Sequence, residues 1–481
     1  MARSELFRGY LGKVMLVACL GSLMGTLDST IVSVSLPTIT KDLGMDGSAA
    51  IWVPAAYLVT MAVLLLTVGR YSDMHGRKWV FIGGFSIFTI GSLLCSLASD
   101  GGQLIAFRAV QGIGGAFITA TSSAIITNTV PPNIRGRALG INTMSIYAGL
   151  SLGPALGGLL THAFGWRSIF LVNLPIGILV IVMAVLWLME TELTRTSKSF
   201  DVRGALVFSI ALVSLMVALT LGSKQGWDLA SVSLLVLAIA LMPIFIWVEK
   251  GRKGWAMFDL DLLLHNRLFA AANLSALLNY LAYYNISFMM SFYMQSVLGW
   301  SILVTGTVLL VTPVVMALVS PLSGWGSDRL GSRALATGGM AIVMVSMILM
   351  LTLDQRSGMD RIVPLMALQG VGMGMFSTPN TSAVMGCVRK DQLGLASGTI
   401  SLMRTVGMSL SLVIMAMALS VFGSPEVMAA MGDGGTGALN PQLFIDGMRA
   451  SLAVSAVISL VGVVTSSTRP SGKGAGADGS P

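Results

Sequence analysis

Apolar stretches about twenty residues long follow one another along nearly the whole chain, and almost none is interrupted by a charged side chain. As helix, such a stretch spans roughly 30 Å of hydrocarbon, and in lipid its backbone amides must be satisfied within the segment itself. The pattern therefore dictates a bundle of membrane-crossing helices. The spans are read at 13–37, 50–70, 79–99, 103–128, 136–161, 168–189, 203–222, 229–250, 268–294, 302–322, 333–353, 361–385, 396–421 and 444–466. With only 10% charged residues, against roughly a quarter in soluble proteins, nothing is left over for a soluble domain.

The same plan is written twice. GRYSDMHGRK (Gly69 to Lys78) and GWGSDRLGSR (Gly324 to Arg333) fill equivalent gaps between spans, with Asp73/Asp328, Gly76/Gly331 and Lys78/Arg333 each 255 apart. Gln111/Gln369, Gly112/Gly370, Gly140/Gly398 and Gly149/Gly407 are each 258 apart. A near-constant offset means duplication, and duplicated halves are how membrane transporters build a site open to alternate sides. Spans 7 and 8 have no counterpart. The expected order is an N-terminal six-helix bundle at 1–199, two inserted helices at 200–255, a C-terminal six-helix bundle at 256–468 and a disordered Gly/Pro/Ser-rich tail at 469–481.

With the N-terminus inside, 21 of the 29 Lys and Arg fall in loops and tails on that side, 6 on the other and 2 within spans. The positive-inside rule then puts both termini in the cytoplasm. Anchoring against anionic lipid accounts for the net charge of +8, so no nucleic-acid partner is implied. Cys19, Cys95 and Cys387 lie on spans, and His75, His162 and His265 lie near span ends or in loops. None has metal-ligand spacing, so neither a metal nor a disulfide frame is expected, and nothing calls for a cofactor. LVAC, ending at Cys19, resembles a lipoprotein cleavage box, but the apolar run continues to Pro37 and is read as span 1. Gly112, Gly114 and Gly115 lie within an apolar span and no Walker sequence occurs, so ATP is not the driver. The chain carries no nucleophile, base and oxyanion set and no polar pore ring, which argues against an enzyme or a channel.

Three ionisable residues lie well inside spans: Asp28 in span 1, Arg108 in span 4 and Arg404 in span 13. Such groups are costly in lipid and mark function. Asp28 lies about 13 Å from the outer end of span 1 and Arg108 roughly 8 Å below that of span 4, a difference an arginine side chain bridges. As the sole deep carboxylate, Asp28 is the candidate proton carrier, and a moving Arg108 or a bound cation could switch it between holding and releasing a proton. A static buried pair, or hydrogen bonds from Asp28 to Ser29, Thr30 and Ser33, remain open alternatives. Arg404 could pair with substrate anions or with carbonyls freed near Gly407, or be structural. Spans 10 and 12 hold no carboxylate, so monocations and neutral compounds are favoured as cargo.

In span 5, Gly140, Gly149, Gly153-Pro154 and Gly157-Gly158 strip side chains from one helix face and bend its axis. Tight packing alone accounts for Gly153 and Gly157 but not for the whole spacing. This spacing resembles the antiporter motif of the major facilitator superfamily. LIAFRAVQGIGGA (Leu104 to Ala116) looks like that family's span 4 motif and the Gly69 to Lys78 gap like its loop motif. LDSTIVSVSLPTI (Leu27 to Ile39) is similar to the span 1 signature of its fourteen-span drug/proton antiporters, and the resemblance extends through WRSIFLVNLPIG (Trp166 to Gly177). It implies two six-helix bundles with a central cavity lined by spans 1, 4, 9 and 12, and span 5 glycines packed against span 10. Two departures are visible. Met74 replaces the basic residue usual after the loop aspartate, and the repeat position of Arg108 is Met366.

In the two gaps, Asp73 and Asp328 precede Gly76, Arg77 and Lys78 and Arg329, Gly331 and Arg333 at a helix start. A carboxylate there can accept from free N–H groups and pair with Arg or Lys across the interface, which makes these residues, with Gly69 and the span 5 set, candidate gating elements; topology-setting basic loops are the plainer reading. Span 9 places Asn273, Asn279, Tyr280, Tyr283, Tyr284 and Asn285 on a helix that the resemblance turns toward the cavity. Aromatic faces with amides suit flat lipophilic compounds, and 32 Met fit a surface that accepts many shapes. The sequence thus reads as a monomeric exporter of the bacterial cytoplasmic membrane that exchanges protons for lipophilic drugs or metabolites. An uptake symporter for a specific solute on the same fold is the alternative.

Overall fold

The computed structural model describes residues 2–131, 134–190, 202–225, 227–250, 260–388, 393–422 and 440–470, and among them there is helix but no strand. In chain order the helices are α1 (Ala2–Leu43), α2 (Gly47–His75), α3 (Arg77–Leu97), α4 (Gly101–Thr129), α5 (Arg135–Phe164), α6 (Ser168–Leu171), α7 (Asn173–Trp187), α8 (Val202–Gln225) and α9 (Leu229–Lys250). After these come α10 (Leu260–His265), α11 (Arg267–Phe292) with a π turn at Tyr293–Val297, α12 (Ile302–Leu309), α13 (Val311–Leu330), α14 (Ser332–Met350), α15 (Met359–Gly386), α16 (Leu393–Phe422) and α17 (Pro441–Ser467).

Local chemistry sets several of these starts. Asp100 accepts from the Gln103 amide at 2.9 Å ahead of α4, and Asn266 from the Phe269 amide at 3.0 Å ahead of α11. Asn440, followed by Pro441 in the first turn, does the same for α17. The two repeated gaps are much shorter than the sequence suggests. His75 ends α2 and Arg77 begins α3, Leu330 ends α13 and Ser332 begins α14, and a single left-handed glycine joins each pair, Gly76 at φ 96° and Gly331 at φ 87°. Only glycine adopts that conformation without strain, so the motif is two helix ends and a swivel rather than a loop.

Twelve helical stretches among the described residues are long and apolar enough to cross a membrane. Against the fourteen spans expected, the other two are α11 and α15, with 26 and 28 residues. Their length suffices, but amides such as Asn273, Asn279, Asn285, Gln369 and Asn380 dilute their apolar character. Span 1 is longer than read, with α1 reaching from Ala2 to Leu43. Span 6 breaks at Val172 between α6 and α7. Large apolar side chains such as Ile239 and Leu318 are exposed while Asp28, Arg108, Gln111 and Asn173 are fully buried. That inside-out distribution is what lipid as the surrounding solvent selects.

The chain forms two compact units. One comprises Met1–Met45, Ala49–Ala218 and Leu229–Phe258, and the other Asp46–Ser48, Leu219–Asp228 and Asp259–Pro481. Within the first, α1 packs on α5 and α4, and α3 on α4 and α7. Within the second, α11 packs on α16 and α15, and α14 on α15 and α17, which is the same pairing scheme. Most of α8 and all of α9 group with the first unit. Of the tail, residues 471–481 lie outside the described residues, whereas Arg469 is described and buried.

Candidate functional site

Asp28 and Arg108 meet inside the first unit. Both are 0% exposed, and Arg108 Nη1 donates to Asp28 Oδ2 at 2.5 Å. The same nitrogen donates to Gln111 Oε1 at 2.7 Å, and Nε donates to the Val53 carbonyl at 3.1 Å. The guanidinium carbon lies 4.5 Å from the centre of the Tyr57 ring and 5.8 Å from that of Phe170. Tyr57 is itself held, its hydroxyl donating to the Gly25 carbonyl at 2.9 Å one turn before Asp28. A desolvated cation gains from such faces.

The second carboxylate oxygen is held as firmly. Oδ1 accepts from Gln111 Nε2 and from Asn173 Nδ2, each at 2.8 Å. Both amides also reach Ser92 Oγ, at 2.7 Å and 3.2 Å, and the serine hydroxyl donates to the Phe88 carbonyl at 2.9 Å. Four helices thus converge on one acid: α1 brings it, α4 brings Arg108 and Gln111, α3 brings Ser92, and α7 brings Asn173 in its first residue. Charge and counter-charge sit fully buried with three N–H donors on the carboxylate, so each compensates a charge that burial would otherwise penalise.

Sequence reading finds Asp28 and Arg108 by their isolation but assigns no part to Gln111, Ser92 or Asn173. The signals were present: Gln111 is one turn from Arg108 on the same face, and Asn173 is the lone amide between Trp166 and Trp187. The carboxylate takes its described partners from these residues, while Ser29 and Ser33 turn their hydroxyls to the Thr26 and Thr30 carbonyls.

The repeat carries the same site without its charges. Gly149 of α5 faces Leu23 and Leu27 of α1, and Gly407 of α16 faces Leu277 and Leu281 of α11, offsets of 258 and 254. On that register Asp28 corresponds to Ala282, Arg108 to Met366, Gln111 to Gln369 and Ser92 to Ser346. The Ser346 hydroxyl still donates to Gln369 Oε1, and among the described residues Gln369 Nε2 finds no hydrogen-bond partner. Acid and base are absent as a pair, as electrostatics requires of a buried site.

Within their own unit, the span 5 glycines of the packed face meet α1. A Cβ at Gly153 would come within 2.9 Å of Thr30 Cβ and 3.0 Å of the Ile31 nitrogen, one at Gly149 within 3.0 Å of the Leu27 nitrogen, and one at Gly157 would strike the Ile31 carbonyl. Gly158 and Pro154 are buried in the same helix, but Gly140 is exposed with open space beside it and takes no part in the packed face. The stripe brings α5 against the helix that carries Asp28.

Of the gap residues, Asp73 and Asp328 fall in the last turns of α2 and α13, and their side chains lie outside the described residues. Arg77 donates to the Ala124 carbonyl at 3.2 Å and Lys78 to the Val185 carbonyl at 2.9 Å, tying α3 to α4 and α7. Arg329 lies over the Trp325 ring at 4.0 Å, Arg333 is exposed, and a Cβ at Gly69 would only just reach Ala120, at 4.0 Å. The span 9 residues do not share one face. Asn279 turns to α15, its amide reaching Met373 sulfur at 3.2 Å, whereas Asn285 is bound to Ser411 of α16 and to Ser451 and Ser455 of α17. Tyr280 and Tyr284 are buried and Tyr283 half-buried; Arg404 is buried on α16. Among the described residues no cluster of His, Cys, Asp and Glu could hold a metal ion.

The Major Facilitator Superfamily profile matches residues 18–258 and 272–477. The chain belongs to the major facilitator superfamily. It is a multi-pass membrane transporter, not an enzyme. Among relatives of this facilitator, the riboflavin transporter RibZ of Clostridioides difficile (strain 630) is 30% identical over 82% of this chain and 86% of that protein. The multidrug resistance protein Stp of Mycobacterium tuberculosis (strain ATCC 25618 / H37Rv) is 32% identical over 84% of this chain and 75% of its own length. The crystal structure of a bacterial homolog of the human lysosomal transporter Spinster, inward-facing and unoccupied, superposes with a TM-score of 0.66 at 17% identity, covering 95% of this chain and 96% of that one. That likeness carries the fold alone.

Proposed function

We propose that this facilitator is a drug/proton antiporter of the fourteen-span type, located in a bacterial cytoplasmic membrane with both termini inside. The observation that carries the reading is the buried Asp28–Arg108 pair with its amide shell. Asp28 takes the proton on one side of the membrane and gives it up on the other, and Arg108 compensates the carboxylate whenever it is charged. The neutral counterpart at Ala282 and Met366 leaves coupling to the N-terminal unit, and α11 with Asn279, Tyr280, Tyr283, Tyr284 and Asn285, together with Arg404, contributes to substrate binding. The glycine-bearing ends at Gly69 to Lys78 and Gly324 to Arg333, and the α5 glycines, serve conformational change. A monomer suffices for these roles.

The likeness to Stp and to other multidrug-resistance proteins supports export of lipophilic, neutral or monocationic compounds. The likeness to RibZ favours a second reading, a carrier of one flat solute. Accumulation of dyes, quaternary ammonium compounds, antibiotics and riboflavin in an overexpressing strain, with and without an uncoupler, separates them. Lower accumulation of several unrelated cations that the uncoupler reverses supports the exporter. Raised uptake of riboflavin alone refutes it.

A further inference from the structure

Arg469 lies two residues beyond Ser467, the end of α17, yet it is 1% exposed, and among the described residues Nε, Nη1 and Nη2 find no hydrogen-bond partner. Arg108, buried as deeply, has a carboxylate, an amide oxygen, a backbone carbonyl and two aromatic rings. Burial pushes the Arg469 guanidinium down to about 10, so it still carries its charge at neutral pH. A buried cation without a counter-charge is among the most costly arrangements a protein can hold, and a bound anion removes that cost.

The packing of α17 against α14 gives the level at which Arg469 lies. Ser459 Oγ donates to the Met340 carbonyl at 3.2 Å and Thr337 Oγ1 to Ser466 Oγ at 2.9 Å, which sets α17 antiparallel to α14. Three residues past Ser466, Arg469 falls level with residues 332–334, the first turn of α14. That turn follows Gly331, which has no side chain to cap it, and among the described residues no side-chain acceptor meets its N–H groups. Exposed Arg333 adds charge on the same turn. The candidate span ends at Ser467, which places Arg469 at the depth of lipid headgroups.

We propose that Arg469 and the first turn of α14 form a binding site for a phosphate-class anion, supplied by a lipid headgroup or by free phosphate. A planar guanidinium fork and a row of helix-start N–H groups both match phosphate oxygens. The site is independent of the proton-coupling reading.

The test uses the full chain, purified in detergent and stripped of lipid. Phosphatidylglycerol and, separately, inorganic phosphate are titrated into wild type, R469Q and R469K, with bound mass by native mass spectrometry and Tm as readouts. R469Q removes an unpaired buried charge and so is expected to fold; R469K keeps the charge and loses the fork. Wild type should bind one of the two probes with a raised Tm, R469Q should bind it about tenfold more weakly or worse, and R469K should fall between. Binding of phosphatidylglycerol without inorganic phosphate assigns a headgroup, and binding of both assigns an open phosphate site. Equal titrations of wild type, R469Q and R469K with both probes, or no binding by wild type, overturn the proposal. D28N, expected to lose coupling, should bind like wild type, which keeps this result separate from the transport reading.

Discussion

Replacing Asp28 and Arg108 by the residues of the repeat, alanine and methionine, tests whether the pair is held as a unit. D28A leaves a fully buried guanidinium with Gln111 Oε1 and the Val53 carbonyl but no counter-charge among the described residues. Breaking a buried pair from one side costs about 3–5 kcal/mol. R108M should cost less, because a carboxylate can shed its charge by taking a proton and a guanidinium cannot. In the double variant no charge remains, and the two amides that lose Oδ1 keep Ser92 Oγ as an acceptor. Its cost should be about 1–2 kcal/mol, so D28A/R108M is more stable than D28A by roughly 2 kcal/mol although it removes more groups. Equilibrium unfolding of the four proteins in mixed micelles of fixed composition measures the cycle. Additive single and double effects, within about 0.5 kcal/mol, would refute the idea that the two charges are one buried unit.

Removing Asn173 takes one of the two amide donors from Asp28 Oδ1, so N173A should destabilise the protein by about 1 kcal/mol, read as a lowered unfolding midpoint in mixed micelles; unchanged stability would show that this hydrogen bond contributes nothing to the site. The α5 face yields a contrast within one motif. G153L should lose transport and stability together because its side chain meets the α1 backbone, whereas G140A, facing open space, should transport at wild-type rate, and a G140A defect equal to that of G153L would contradict the assignment to α1. At the one-residue joints, G76A and G331A should each destabilise by about 1 kcal/mol through their left-handed backbone, read as lowered Tm, and no change at either would contradict the swivel geometry.

The helical architecture and its duplication are legible in the sequence because lipid leaves few choices. Twenty apolar residues in a row have one fate, and a constant offset between Asp73 and Asp328 cannot arise from composition. Asp28 and Arg108 stand out for the same reason, since a charge in an apolar run needs a partner. Less visible are the uncharged members of the site. Ser92, Gln111 and Asn173 look like ordinary polar residues of membrane helices until the fold brings both amides to 2.8 Å from Asp28 Oδ1 and within 3.2 Å of Ser92 Oγ, and no spacing rule links positions 28, 92, 111 and 173. The partner of the α5 glycines is hidden for a related reason: a stripped face declares that a backbone comes close, not which one. Arg469 escapes notice because its isolation is three-dimensional, an arginine in a polar-looking tail whose burial only the folded chain reveals.

Proton movement driven by cargo, measured in proteoliposomes with a pH-sensitive dye on the far side, tests the role of Asp28 most directly. Adding a transported cation to wild type should move protons against it in proportion to cargo flux, and D28N, folded and still binding cargo, should move none. Equal proton flux in D28N and wild type would remove Asp28 from the coupling mechanism.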